Sequence, residues 1–228
     1  MVSPPLHVND TGLDVTHLTW STYDRIVPQF VARTWEITSV FARADAFAAA
    51  LPTPPDGRSP RVLDAGCGPG RDSRYFGERH GLRMVGVDAS GGMVAEAARR
   101  VPPPARFARM DLRRLGFVDA AFEGVWCNAA LLHVPRSNVA GALAELVRVL
   151  RPAGLLAISV KEGAGEAIVG AETGEPRFFT FFTTDEIAAL MAAAGLRVDD
   201  VTLSAPSEPL ARHRWIHLSG TKPSEKAP

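Results

Sequence analysis

Three carboxylates, a histidine and a run of glycines are the residues of this chain whose types and spacing could do chemistry. The run Val62-Leu63-Asp64-Ala65-Gly66-Cys67-Gly68-Pro69-Gly70-Arg71 passes from an apolar, strand-like stretch into three glycines at alternate positions, then into a helix-forming segment over Asp72 to Gly77. Glycines there let the backbone turn sharply and leave no Cβ atoms between loop and ligand, while a helix N-terminus offers free N–H groups to a carboxylate or phosphate. A small anionic or zwitterionic ligand fits such a loop. Asp88 closes the next apolar stretch, Met84-Val85-Gly86-Val87-Asp88, about 20 positions further on. Its two oxygens match a vicinal diol such as that of ribose, or it caps the helix beginning near Ser90. Asp111, in Met110-Asp111-Leu112, can accept from an exocyclic amino group; alone it would be a surface loop residue. A fourth stretch runs into Asn128-Ala129-Ala130-Leu131-Leu132-His133. A neutral histidine there can take a proton near neutral pH, or simply line the site.

These residues need elements that bring them to one edge. Short β-rich runs over 61–64, 84–88, 107–111, 125–128 and 155–160 alternate with amphipathic helices, and 198–203 and 215–218 read as two last strands. That alternation predicts an α/β fold with a mostly parallel sheet and helices on both faces, with ligands beyond the carboxyl ends of the strands. Thr183 with Glu186 predicts a capping box, and Gly195 the end of that helix. Ahead of the sheet, Tyr23, Ile26, Val27, Phe30 and Val31 recur at helical spacing, with Pro28 kinking or delimiting the helix, and a second stripe runs from Ile37 to Leu51. Four prolines and a glycine in residues 52–60 then separate this helical cap from the main fold. Residues 1–18 show no clear period, and both chain ends are expected to be peripheral.

An acidic residue followed by GxGxG, here Asp64, Gly66, Gly68 and Gly70, resembles the first motif of class I S-adenosylmethionine-dependent methyltransferases. The phrase Arg148-Val149-Leu150-Arg151-Pro152-Ala153-Gly154 is similar to the helix–turn–strand entry before their fifth strand, with Ala153 in place of a glycine. The resemblance implies a Rossmann-like, doubly wound, seven-stranded sheet in a single domain over 1–228, with a helical cap over 1–58 and a cofactor-binding core over 60–220. It implies S-adenosyl-L-methionine as cofactor, held by the loop residues with Cys67, by Asp88, Ala89, Ser90 and Met93, and by Met110, Asp111 and Leu112. Asn128 and Ala129 would meet the methionine end. The segment from Tyr23 to Arg33 looks like the cofactor-covering helix, which adds Arg33 to that set, while Phe30 carries no hydroxyl where many relatives have a tyrosine. His133 is the candidate base, and Tyr23, Phe30, Lys161 and Phe179 the candidate acceptor contacts.

Arg71 stands where the dinucleotide fingerprint wants Gly or Ala, which argues against a nicotinamide-dependent oxidoreductase. An S-adenosylmethionine-binding enzyme of non-methylating chemistry, such as cyclisation, would share the loop and both later aspartates. The chain holds 25 basic and 25 acidic residues, so no net positive field exists to hold nucleic acid. Two cysteines without metal spacing predict no metal, and the absence of a long apolar run or leader predicts a cytoplasmic monomer or homodimer acting on a small molecule.

Overall fold

The computed structural model describes residues 14–204 and 214–224; the expectations for the outermost parts of both ends, 1–13 and 225–228, lie outside the described residues. Seven strands form one sheet: β1 (Arg61–Ala65), β2 (Arg83–Asp88), β3 (Arg106–Arg109), β4 (Phe122–Asn128), β5 (Leu150–Lys161), β8 (Arg197–Ser204) and β9 (Trp215–Thr221), in the order β3-β2-β1-β4-β5-β9-β8. β1 to β5 run parallel and β9 is antiparallel to both its neighbours. The centre is buried on both faces, which is why β1 and β4 read as near-continuous apolar runs rather than as alternation. Crossovers use α4 (Arg71–His80), α5 (Gly91–Arg100), α6 (Arg136–Val149) and α7 (Thr184–Ala193).

Ahead of the sheet lie α1 (Val15–Arg25), α2 (Val27–Thr34) and α3 (Phe41–Ala50). Pro28 delimits rather than kinks: it sits in the first turn of α2, where its missing N–H costs nothing. α1 begins earlier than periodicity suggested because Asp14 caps it, accepting from the backbone N–H groups of Thr16 and His17. α3 reaches the sheet at Gly124, where an added Cβ would come within 2.4 Å of Leu51 and 2.9 Å of Phe47.

The segment after β5 is a β-hairpin formed by β6 (Glu166–Val169) and β7 (Arg177–Thr180), which no strand run in the sequence marked. Its four-residue strands are too short for a period to register. Phe178, Phe179, Phe181 and Phe182 are all buried, and only Phe179 also reaches the cavity described below. The hairpin packs on α1 through Val15, Ile168 and Phe178, with Thr19 accepting from the Phe178 N–H and Thr22 donating to the Pro176 carbonyl. Half of the predicted capping box forms: Thr183 accepts from the Glu186 N–H, while the Glu186 carboxylate pairs with Arg136. Ala153 takes a left-handed conformation (φ 62°), the backbone that suits a glycine at that turn. Among the described residues no helix is long and apolar enough to cross a membrane.

Candidate active site

A cavity of about 520 Å³ runs along the carboxyl ends of β1, β2, β4 and β5, roofed by α1, α2 and the hairpin. At one end lies the turn from β1 into α4. Gly66 is left-handed (φ 85°) and a Cβ there would lie 2.1 Å from the Ala130 Cβ, so close approach of two chain segments requires it. At Gly68 a Cβ would meet only Phe30, at 3.8 Å, so that glycine keeps space open toward the cavity.

Asp88 accepts from the Gly68 N–H on one carboxylate oxygen and from the Ser90 N–H on the other, both at 2.9 Å. Each oxygen retains acceptor capacity. Burial pushes its carboxyl up, opposed by those two N–H groups. Asp64 sits deeper, accepting from the Ser73 hydroxyl, and burial with the neighbouring Asp72 charge raises its carboxyl to about 7. Asp111 is clamped by the Arg113 backbone and guanidinium, and Ala89, Met93 and Leu112 complete this wall.

At the other end the strand register sets Asn128, Ser159 and His217 side by side on β4, β5 and β9, with Lys161 opposite Trp215 two residues on. Arg43 and Ser159 both donate to the Asn128 carbonyl oxygen, whose amide donates to Asp72. Ala129 is left-handed (φ 56°), and its N–H is tied to Ser159. That strained residue turns the chain off β4 at the cavity.

His133 is enclosed between the cap and the hairpin. Its Nδ1 lies 2.7 Å from the Phe178 carbonyl, which can only accept, so Nδ1 carries the proton. Nε2 therefore accepts from the Tyr23 hydroxyl at 2.9 Å. Burial pushes the imidazole down to about 3, with the Arg177 and Lys161 charges adding to it against the Phe178 carbonyl. A folded-state value below the unfolded 6.5 means that the unfolded chain takes up this proton first. The stability tied to a neutral His133 is fully present above pH 6.5 and drains away as pH falls toward 3. Asp64 works in the opposite direction, so the difference between proteins is the readout. Between pH 7 and 5 the wild type should lose about 2 kcal/mol relative to His133→Phe, checked by urea melts of both at each pH. Parallel pH profiles would show that His133 titrates alike in both states.

The chain matches the model of a methyltransferase domain over residues 62–154. It is 31% identical to trans-aconitate 2-methyltransferase of Methylobacterium nodulans over 72% of this chain and 69% of that protein. It is 40% identical to malonyl-[acyl-carrier protein] O-methyltransferase of Enterobacter lignolyticus over 51% of this chain, a match spanning only 43% of that relative. The crystal structure of 1,6-didemethyltoxoflavin-N1-methyltransferase of Burkholderia thailandensis, bound to 1,6-didemethyltoxoflavin and S-adenosylhomocysteine, superposes with a TM-score of 0.71 at 25% identity. That match covers 97% of this chain and 100% of that one. The chain belongs to the class I S-adenosylmethionine-dependent methyltransferase superfamily.

Of the positions that the superfamily resemblance singled out, Asp64, Gly66, Cys67, Gly68, Asp88, Ala89, Met93, Asp111, Leu112, Asn128 and Ala129 share the cavity wall with Tyr23, Phe30, His133, Lys161 and Phe179. Four do not reach it. Gly70 packs on α5, where a Cβ would come 2.6 Å from Val101. Ser90 is the buried N-cap of α5, accepting from the Met93 N–H and donating to Asp24, so the capping role open to Asp88 belongs to Ser90. Met110 turns toward Gly116 and the core, and Arg33 is paired with Glu175. Sequence reasoning missed Asp72, Arg43, Arg177 and His217. Asp72 had a signal, being an acid in the first turn after the glycines; Arg43 and Arg177 come from the cap and hairpin, where nothing local marks them.

Proposed function

We propose that the protein transfers a methyl group from S-adenosylmethionine to an oxygen or nitrogen atom of a cytoplasmic small-molecule metabolite. One observation carries this reading: a single cavity joins a glycine-lined end, where Asp88 offers two acceptor oxygens, to an end where Tyr23 and His133 are hydrogen-bonded together. The residues present fit the cofactor. Asp88 would take the ribose hydroxyls, Asp111, Leu112, Ala89 and Met93 the adenine, and Asp64, Cys67, Gly66, Gly68, Asn128 and Ala129 the methionine end. When bound, S-adenosylmethionine supplies an electrophilic methyl carbon on a sulfur that keeps the bonding pair.

The chain's own part is alignment, dryness and proton handling. Alignment alone can supply about 7 to 11 kcal/mol of a displacement barrier, and Phe30, Phe179 and the cap close the cavity against water. Tyr23 takes the acceptor's proton as its own passes to His133 Nε2, leaving Tyr23 neutral and the proton on the imidazole. The O- and N1-methyltransferases among the relatives and solved structures support the oxygen-or-nitrogen reading, and the trans-aconitate and 1,6-didemethyltoxoflavin of two of them support a small molecule. Calorimetry should find S-adenosylmethionine and S-adenosylhomocysteine competing for one site, and Asp88→Ala weakening both by about 1 to 3 kcal/mol. Failure of the folded protein to bind either compound sinks the reading. Labelled methyl carried from cofactor into an extract metabolite separates methyl transfer from other chemistry at the same site.

A further inference from the structure

We propose that Lys161 and Arg177 form an anchor for a carboxylate of the methyl acceptor, so that the acceptor is a small organic anion; this rests on the methyl-transfer reading. Lys161 ends β5 and Arg177 opens β7, and both line the acceptor end of the cavity. They converge on one ring: the Lys161 Nζ lies 4.3 Å and the Arg177 guanidinium carbon 5.8 Å from the Phe179 centroid. Arg177 is also 5.7 Å from the centroid of Tyr23.

Among the described residues neither cation has an acidic partner. The acids nearest in sequence are turned to other cations: Glu162 pairs with Arg214, and Glu175 with Arg33. The other arginine on the wall beside an acid, Arg71, is satisfied by Asp72. Glu175 feels the Arg177 charge but is ion-paired with Arg33, and two converging positive charges with no paired carboxylate are costly to hold away from water. The Arg177 Nε is buried with no hydrogen-bond partner, as is His217 Nδ1 across the same cavity. Burial and the Arg177 charge push the Lys161 ammonium down, and no carboxylate offsets them. What completes this set is an oxyanion from outside the chain, and the planar guanidinium fork favours a carboxylate.

The anchored carboxylate is not the reacting atom, because a direct ion pair would hold back the lone pair that must attack. The reacting atom lies toward Tyr23 and His133. Burial holds the His133 imidazole down first, and an anchored anion offsets the Arg177 and Lys161 charges that add to it.

The test is calorimetry on the full chain saturated with S-adenosylhomocysteine, titrated with benzoate, fumarate and trans-aconitate, with their amides, and with inorganic phosphate. At least one carboxylate should bind, with its amide at least tenfold weaker. Lys161→Gln and Arg177→Gln should each weaken that carboxylate tenfold or more, Lys161→Arg should retain it, and S-adenosylhomocysteine affinity should stay within twofold. Both Gln variants should melt at or above the wild-type temperature without ligand, since removing one of two like charges relieves the folded state. No carboxylate binding, binding unchanged in the Gln variants, or phosphate tighter than every carboxylate overturns the proposal. So does a tenfold loss of S-adenosylhomocysteine affinity in the variants, which would assign the cations to the cofactor. Failure of the wild type to bind S-adenosylhomocysteine at all instead removes the functional reading on which the anchor rests.

Discussion

Tyr23→Phe should lower the turnover number by about 10²- to 10⁴-fold, the usual range for a positioned acid–base group, while leaving cofactor affinity within a few-fold. The hydroxyl is the only part removed. The ring that packs edge-on against Phe30 and His133 stays, so the change tests proton handling rather than packing. Both nitrogens of His133 are engaged, one by the Phe178 carbonyl and one by Tyr23, so the imidazole reaches an acceptor only through the phenol. The two side chains should therefore act as a unit: His133→Phe costs about as much as Tyr23→Phe, and the double variant little more than either. Burial pushes the Tyr23 phenol up, against the pull of Arg177, so the hydroxyl is protonated at neutral pH and acts as a relay. Single-turnover kinetics with the identified acceptor would decide the matter. A loss under threefold in Tyr23→Phe means that alignment alone drives transfer; multiplicative losses mean that the two residues act separately.

How much of this could be read in advance follows from where each signal is stored. The central strands β1 and β4 are buried almost throughout, and β2 and β4 end in polar residues at the cavity, so short apolar runs closed by Asp88 and by Asn128, with Asp111 just past β3, located the strands and the cofactor end together. The acceptor end has no such local mark. Tyr23 meets His133 across 110 positions of sequence, because α1 docks over the turn that follows β4, and Arg33 finds Glu175 across 142, because α2 reaches the tip of the hairpin. Gly70 and Met110 fit the motif but serve packing, a distinction made by which face of the turn points at α5 or at the core. Ser90 illustrates the remaining gap: position offered Asp88 as the cap and the resemblance offered Ser90 as a cofactor contact, and only the hydrogen bond from the Met93 N–H makes Ser90 the cap.

Gly66→Ala should be the most damaging single change at the site, abolishing measurable S-adenosylhomocysteine binding and lowering the melting temperature. Its added methyl would lie 2.1 Å from the Ala130 Cβ, about half a normal contact, in a left-handed conformation. The turn cannot retreat, because the Gly66 and Cys67 N–H groups both donate to the Val87 carbonyl at 2.8 and 2.9 Å. Ala130 cannot retreat either, since Ala129 is held to Ser159 and the Ala130 carbonyl accepts from the His133 N–H. The left-handed backbone costs about 1 to 2 kcal/mol and the overpacking about 1 to 3 more, so about 2 to 5 kcal/mol of stability is at stake. Gly68→Ala separates fold from function at the same loop. Its methyl meets only Phe30 at 3.8 Å and its φ of 52° is close to the 56° that Ala129 already adopts, so its melting temperature should drop far less while cofactor affinity still falls. Pairing Gly66→Ala with Ala130→Gly deletes the colliding atom and should recover the overpacking share of the loss but not the backbone share. Thermal melts and S-adenosylhomocysteine titrations of the four proteins read both quantities. Wild-type stability and affinity in Gly66→Ala would show that the segment after β4 and the glycine turn do not approach each other as closely as this geometry requires.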